Sequence, residues 1–151
     1  MTRGIRTAAL SLAIVATLAA AVPAAESERD AGAVSDLAVT VKYVGKGTVD
    51  ANHRVWVWLF DTPDLGPGAM PFDEASIEKN GDTITFKGIT AKAVYVAVAY
   101  DEAGGFGGMA PPPSGSPIGV YSGAQPGPPA PIIPGETTAV TVTFNEMMRM
   151  P

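Results

Sequence analysis

The chain has no cysteine, which excludes a disulfide framework, a thiolate metal site, a cysteine nucleophile and a lipid attached to a cysteine behind a leader. It has one histidine, His53, set beside Arg54 with no nucleophile motif around Ser114, Ser116 or Ser122, so a serine hydrolase built on a histidine base is not indicated. No apolar run reaches the roughly 20 residues that a spanning helix needs, and no segment carries the period of an amphipathic helix. Basic side chains are also scarce, 10 against 15 acidic, for a formal charge of −5. That balance argues against nucleic acid as a partner.

The start of the chain reads as an export signal. Arg3 and Arg6 precede the small apolar run from Thr7 to Ala21, and Val22-Pro23-Ala24 supplies the small residues of a cleavage site. Residues 1–24 are therefore expected to be a signal peptide cut near Ala24, and the mature protein to be secreted or periplasmic with no membrane span. Loss of Arg3 and Arg6 leaves eight basic side chains and moves the charge from −5 to −7. About 125 residues remain, enough for one ordinary core without staples. Residues 25–34 are polar and aperiodic, a flexible tether.

Beyond the tether the pattern is that of strands. Leu37, Val39, Val41 and Tyr43 alternate with mixed residues, as in a strand with one side in a core. From Arg54 to Phe60, Val55, Val57 and Leu59 take one face and Trp56, Trp58 and Phe60 the other. Ala93 to Glu102 carries Val94, Val96, Val98 and Tyr100 against Ala93, Tyr95, Ala97 and Ala99, and no charge before Asp101. A strand apolar on both faces is central and needs cover on each side. The second strand, beside or opposite, and a last strand over Thr138–Phe144, beside, are its expected covers.

Ser76–Lys79 and Asp82–Phe86 flank Asn80-Gly81, which predicts a type I′ hairpin. Ile118 to Tyr121 reads as a short edge strand between two Gly/Pro stretches that cannot be central strands. The sum is one all-β domain over residues 35–146, an antiparallel β-sandwich of about seven strands with long Gly/Pro-rich loops. Residues 147–151 form a tail with no partner evident in the sequence.

The order of a Gly-bounded first strand, Val55-Trp-Val-Trp-Leu-Phe-Asp61, Thr83-Ile-Thr-Phe-Lys-Gly-Ile89 and Tyr95-Val-Ala-Val-Ala-Tyr-Asp-Glu102 before Gly104-Gly105 resembles the transthyretin-like (prealbumin-like) sandwiches, with carboxypeptidase regulatory-like domains the nearest type. The resemblance implies a sandwich fold and an accessory or binding module with no shared catalytic residues. Ala93 and Glu102-Ala103-Gly104 depart from the family's usual Gly and Asn-Gly, so no metal-binding loop is carried over.

The candidate ligand-binding residues are Trp56, Trp58, Asp101, Glu102 and Tyr121. Trp56 and Trp58 make either a second packed face or an open platform for a sugar ring. Alternating strand directions would gather Asp50, His53, Asp82, Asp101 and Glu102 at one pole, and Asp61, Asp64, Asp73 and Glu74 at the other. No Asp-x-Asp-x-Asp loop is present for Ca²⁺, and Met147, Met148 and Met150 would hold Cu(I) only if the tail docks. The expectation is a non-catalytic module without cofactor or metal, binding an unknown protein or glycan. A carbohydrate-binding domain and a small hydrolase using loop carboxylates are the alternatives.

Overall fold

The computed structural model describes residues 34–66, 68–109 and 111–151. The expected signal peptide and nearly all of the tether lie outside the described residues. Seven strands form, β1 (Ser35–Tyr43), β2 (Val55–Phe60), β3 (Asp73–Ile77), β4 (Thr83–Ile89), β5 (Tyr95–Tyr100), β6 (Ile118–Val120) and β7 (Ala139–Phe144). They make a three-stranded sheet in the order β4-β1-β7 and a four-stranded sheet in the order β3-β2-β5-β6. The all-β sandwich expected from the alternation is the fold.

Period-two patterning builds the core between the sheets. Leu37, Val39, Val41 and Tyr43 of β1 and Val140, Val142 and Phe144 of β7 face Val55, Val57 and Leu59 of β2 and Val96, Val98 and Tyr100 of β5. Each fully buried aliphatic side chain contributes about 1.5–3 kcal/mol relative to exposure. β5 is central, as its two apolar faces require, between β2 and β6. Its N-terminal extension continues through Val94, whose N–H and C=O both bond Ile132 at 2.8 Å. That pair anchors the long connection from β6 to β7.

Two expectations of pairing are corrected. The last strand lies in the opposite sheet from β5 and pairs in parallel with β1, from Ala38↔Ala139 to Tyr43↔Phe144. Parallel neighbours need a long crossover, and the Gly/Pro stretch after β6 returns the chain to the start of β1. Asn80-Gly81 does not close a hairpin either. β3 pairs with β2 and β4 with β1, so the turn passes between sheets, and only Gly81, at φ +89°, takes a positive φ there. A type I′ turn needs two such residues. Asn80 instead ends the β1 ladder: its Oδ1 accepts from the Tyr43 N–H at 2.9 Å and its Nδ2 donates to the Tyr43 C=O at 2.6 Å.

The ends of β1 and β5 meet in a tyrosine stack. The Tyr43 and Tyr100 rings lie 4.4 Å apart at 23°, with Phe144 against Tyr43 at 5.1 Å. Gly45 and Gly47 lie flat on these rings, where an added Cβ would come within 2.3 and 2.4 Å of ring atoms. The Tyr43 hydroxyl donates to Glu146 and the Tyr100 hydroxyl to the Thr48 C=O. Burial and the Glu146 carboxylate push the Tyr43 phenol up to about 12, and burial also raises Tyr100.

Two outcomes follow from these contacts. Asn80→Ala leaves both polar groups of Tyr43 without their partner and lowers the unfolding free energy by about 1–3 kcal/mol, read from urea denaturation at constant m-value. The second concerns alkaline pH. Tyr43 ionises near 10 when unfolded and about 12 when folded, so its contribution is intact below the lower value and is lost as pH rises to the upper one. The urea midpoint therefore falls across that interval, and falls less steeply in Tyr43→Phe.

Candidate functional site

The outer face of the four-stranded sheet is the most developed surface of the molecule. β2 places Trp56, Trp58 and Phe60 on it, and the β5 partners of the two indoles are small, Ala99 opposite Trp56 and Ala97 opposite Trp58. The small residues leave room for the rings to lie down. Phe106 descends from the loop after β5 and meets Trp56 edge-on at 5.8 Å and 76° and Trp58 at 6.1 Å. Leu65, Ala69 and Ile118 complete a second apolar cluster. Trp58 is only 3% exposed, so the aromatic stripe is a covered face and not an open sugar platform. Its Nε1 donates to the Gly108 C=O at 3.0 Å.

Asp101 holds that cover down. The carboxylate is 4% exposed, with Oδ1 accepting from the Gly104 N–H at 2.9 Å and Oδ2 from the Phe106 N–H at 2.8 Å. The backbone N–H of Asp101 bonds the Arg54 C=O across the sheet. Strand end and loop are thereby one unit. Gly108, at φ +84°, lies so close to Trp56 that a Cβ would fall 2.0 Å from the ring. No bulkier residue fits between loop and indole there.

Glu102 turns the other way, to Arg149 Nη1 at 2.8 Å. The same Nη1 bonds the Gly115 C=O, and backbone bonds join Met148 to Ile118 and Met150 to Gly115 and Ser116. The C-terminal tail is thus docked along β6. Tyr121 stands apart, half-buried against the inner core, its N–H on Val96 and its C=O on Ala130. The structure brings Trp56, Trp58 and Asp101 together through Phe106, puts Glu102 on the flank of the same loop, and leaves Tyr121 elsewhere.

Between the loop after β2, the loop after β5 and the tail lies a cavity of about 260 Å³. Trp58 and Phe60 form its floor from the strand, with Leu65, Ala69, Met70, Pro111, Pro112, Ile118 and Met150 around them, and no ionisable side chain lines it. Met70 at the cavity and Met109, next in sequence to the Trp58 acceptor Gly108, are exposed by 80% and 82%. Thioethers adapt to varied apolar shapes. Sequence reasoning missed Phe106, Leu65 and Met70, and weighed Met150 only as a copper ligand, because loop and tail residues carry no period. The signal that was present is Ala97 and Ala99 facing the indoles.

The acidic groups serve local structure. Asp50 Oδ1 accepts from the N–H groups of His53 and Asn52 and lies 3.1 Å from His53 Nδ1, bonds that hold its carboxyl below the usual range. Gly104 lies against Asn52 and His53, so this turn and Asp101 share one pole. At the other, Asp61 and Asp73 line a depression of about 370 Å³ with Lys87, Phe72 and Ile89. Among the described residues no three His, Asp or Glu side chains converge as a metal site, and no helix is long and apolar enough to cross a membrane.

No family model and no curated protein matches the chain. Among solved structures it is similar to an alternative pilotin from the type II secretion system of Vibrio cholerae, with 14% identity and a TM-score of 0.46 over 75% of this chain and 96% of that one.

Asp101→Ala removes both anchors of the Phe106 loop and costs about 2–5 kcal/mol, because two charge-assisted bonds are lost and two N–H groups are left without acceptors. Asp101→Asn keeps one acceptor and costs less. Chymotrypsin cleavage after Phe106, accelerated in the order wild type, Asn, Ala, is the expected result; equal rates would show that the carboxylate does not hold the loop.

Proposed function

We propose that this chain is an exported, non-catalytic binding module, a sandwich of the transthyretin-like kind, that takes an apolar group of a partner into the cavity on Trp58 and Phe60. The observation that carries this reading is the cavity itself: about 260 Å³, apolar throughout its lining, roofed by glycine- and proline-containing loops and edged by Met70 and Met150. A volume of that order accommodates one large side chain or a small apolar ligand, below the range of pockets for drug-sized molecules. The Asp101 carboxylate supports the same reading. Both oxygens of Asp101 are engaged by backbone N–H groups, so this carboxylate is not presented as a general acid or base to a substrate.

The test uses methionine methyl labels and small aromatic fragments. Saturable shifts of the Met70 and Met150 methyls and of the Trp58 indole N–H are expected, with Met147 unmoved. Ala69→Phe fills the cavity from the loop and should weaken the fragment by about tenfold or more. Fragment binding insensitive to Ala69→Phe overturns the site, and turnover of a model glycoside or ester by the wild-type protein overturns the non-catalytic reading.

A further inference from the structure

We propose that the free edge of β7 receives an extended segment of another polypeptide, which joins the three-stranded sheet as a fourth strand through main-chain hydrogen bonds. The ladder shows why the edge is available. The parallel pairing runs from the Ala38 N–H on the Thr138 C=O to the Val44 N–H on the Phe144 C=O, so even-numbered residues of β7 bond β1. The peptide groups of Ala139, Thr141 and Thr143 point the opposite way. No hydrogen bond among the described residues reaches them.

The other three edges are each guarded. β3 carries Asp73 and Glu74. β4 carries Lys87 and an irregular register against Ser35 and Leu37. β6 is covered by the tail through Ile118 and Met148. These are the devices by which sheets avoid unwanted pairing, and β7, Ala-Val-Thr-Val-Thr-Phe, has no charge, no proline and no irregularity in its register. Alongside it runs a groove of about 280 Å³ whose far wall is Val120 to Pro126, Tyr121 included, with no acidic or basic lining residue. Tyr121 and Gly119 bond β5, so the Val120 peptide faces outward toward this groove.

The occupant is a single strand and not a second copy. A second copy would bring like charge against like, a formal −5 on each full chain and −7 once Arg3 and Arg6 are removed with the leader. A neutral or basic segment of alternating polar and β-branched residues fits. Its polar side chains continue the outer face, where Thr40 and Thr83 already share a hydroxyl bond of 2.7 Å, and its apolar ones turn inward on the side of Val142. The groove at this edge and the Trp58 cavity share only Val120, and the variants and amides that report on each are different.

The probe is an acetylated, amidated Lys-Thr-Val-Thr-Val-Thr-Lys peptide, read by amide exchange on the full chain. In free protein the amides of Ala139, Thr141 and Thr143 exchange fast and those of Val140 and Val142 slowly; saturating peptide slows the odd set by about tenfold or more. Thr141→Pro deletes one outward N–H without touching a β1 bond and weakens the peptide by about tenfold. A peptide N-methylated at alternate residues loses binding to unaltered protein, which keeps the test sound if the proline variant fails to fold. Absence of saturable binding, protection at the Trp58 cavity instead, or protection of the odd amides that rises with protein concentration alone overturns the proposal.

Discussion

The ladder between β2 and β5 is apolar on both faces, and that single constraint organises the molecule. A two-layer sandwich covers only one face of a sheet. The inner face is met by β1 and β7, whose alternation supplies Val39, Val41, Val140 and Val142. The outer face has no third layer of secondary structure. Its cover is made from irregular chain, Leu65 and Ala69 from one loop, Phe106 from another and Ile118 from the short β6. The loops that carry Leu65, Ala69 and Phe106 are therefore part of a second core, set on the solvent side of the sheet.

Irregular cover has to be tied down by side chains, since it lacks a ladder of its own. Asp101 does this for the loop after β5 and Trp58 Nε1 for its far end at Gly108. Glu102 and Arg149 do it for the tail. Two adjacent acidic residues at one strand end thus have separate tasks, one turned inward to backbone N–H groups and one outward to a guanidinium. The inward carboxylate is the more costly to disturb, because a buried N–H without an acceptor forfeits its full desolvation cost, whereas an exposed ion pair contributes little.

Strand identity, the central place of β5 and the sandwich class were legible because they depend on local alternation, which Val94 to Tyr100 and Leu37 to Tyr43 display plainly. Pairing was less so. Asn80-Gly81 has the local chemistry of a hairpin, but β3 ends and β4 begins on different sheets, and the Asn80 side chain finds Tyr43 instead. Turn propensity weighs a few tenths of a kcal/mol to one against two long ladders, and the ladders prevail. The parallel register of β7 on β1 was invisible for a related reason: alternation says which side chains face inward, and it is silent on which strand lies alongside. Tail docking through Arg149 and Met148 leaves no periodic trace at all. The candidate residues Trp56, Trp58 and Asp101 proved to share one cluster, while their contacts, Phe106 above all, were beyond reach from spacing.

The two cores differ in how they resist opening. The inner one is closed by strands whose backbone bonds are continuous, so separating it means unfolding the sheet. The outer one is held by a few side-chain bonds on loops that turn through left-handed glycines at 104, 105 and 108, and such units open at free energies well below the global value. A cavity edged by loops, by exposed Met70 and by half-buried Met150 can admit a ligand without disturbing the β2/β5 ladder beneath it. Stability and adaptability are thereby separated across the thickness of one sheet: Val57 and Val98 face the core that strands close, and Trp58 and Ala97, their immediate neighbours in the chain, face the one that loops close.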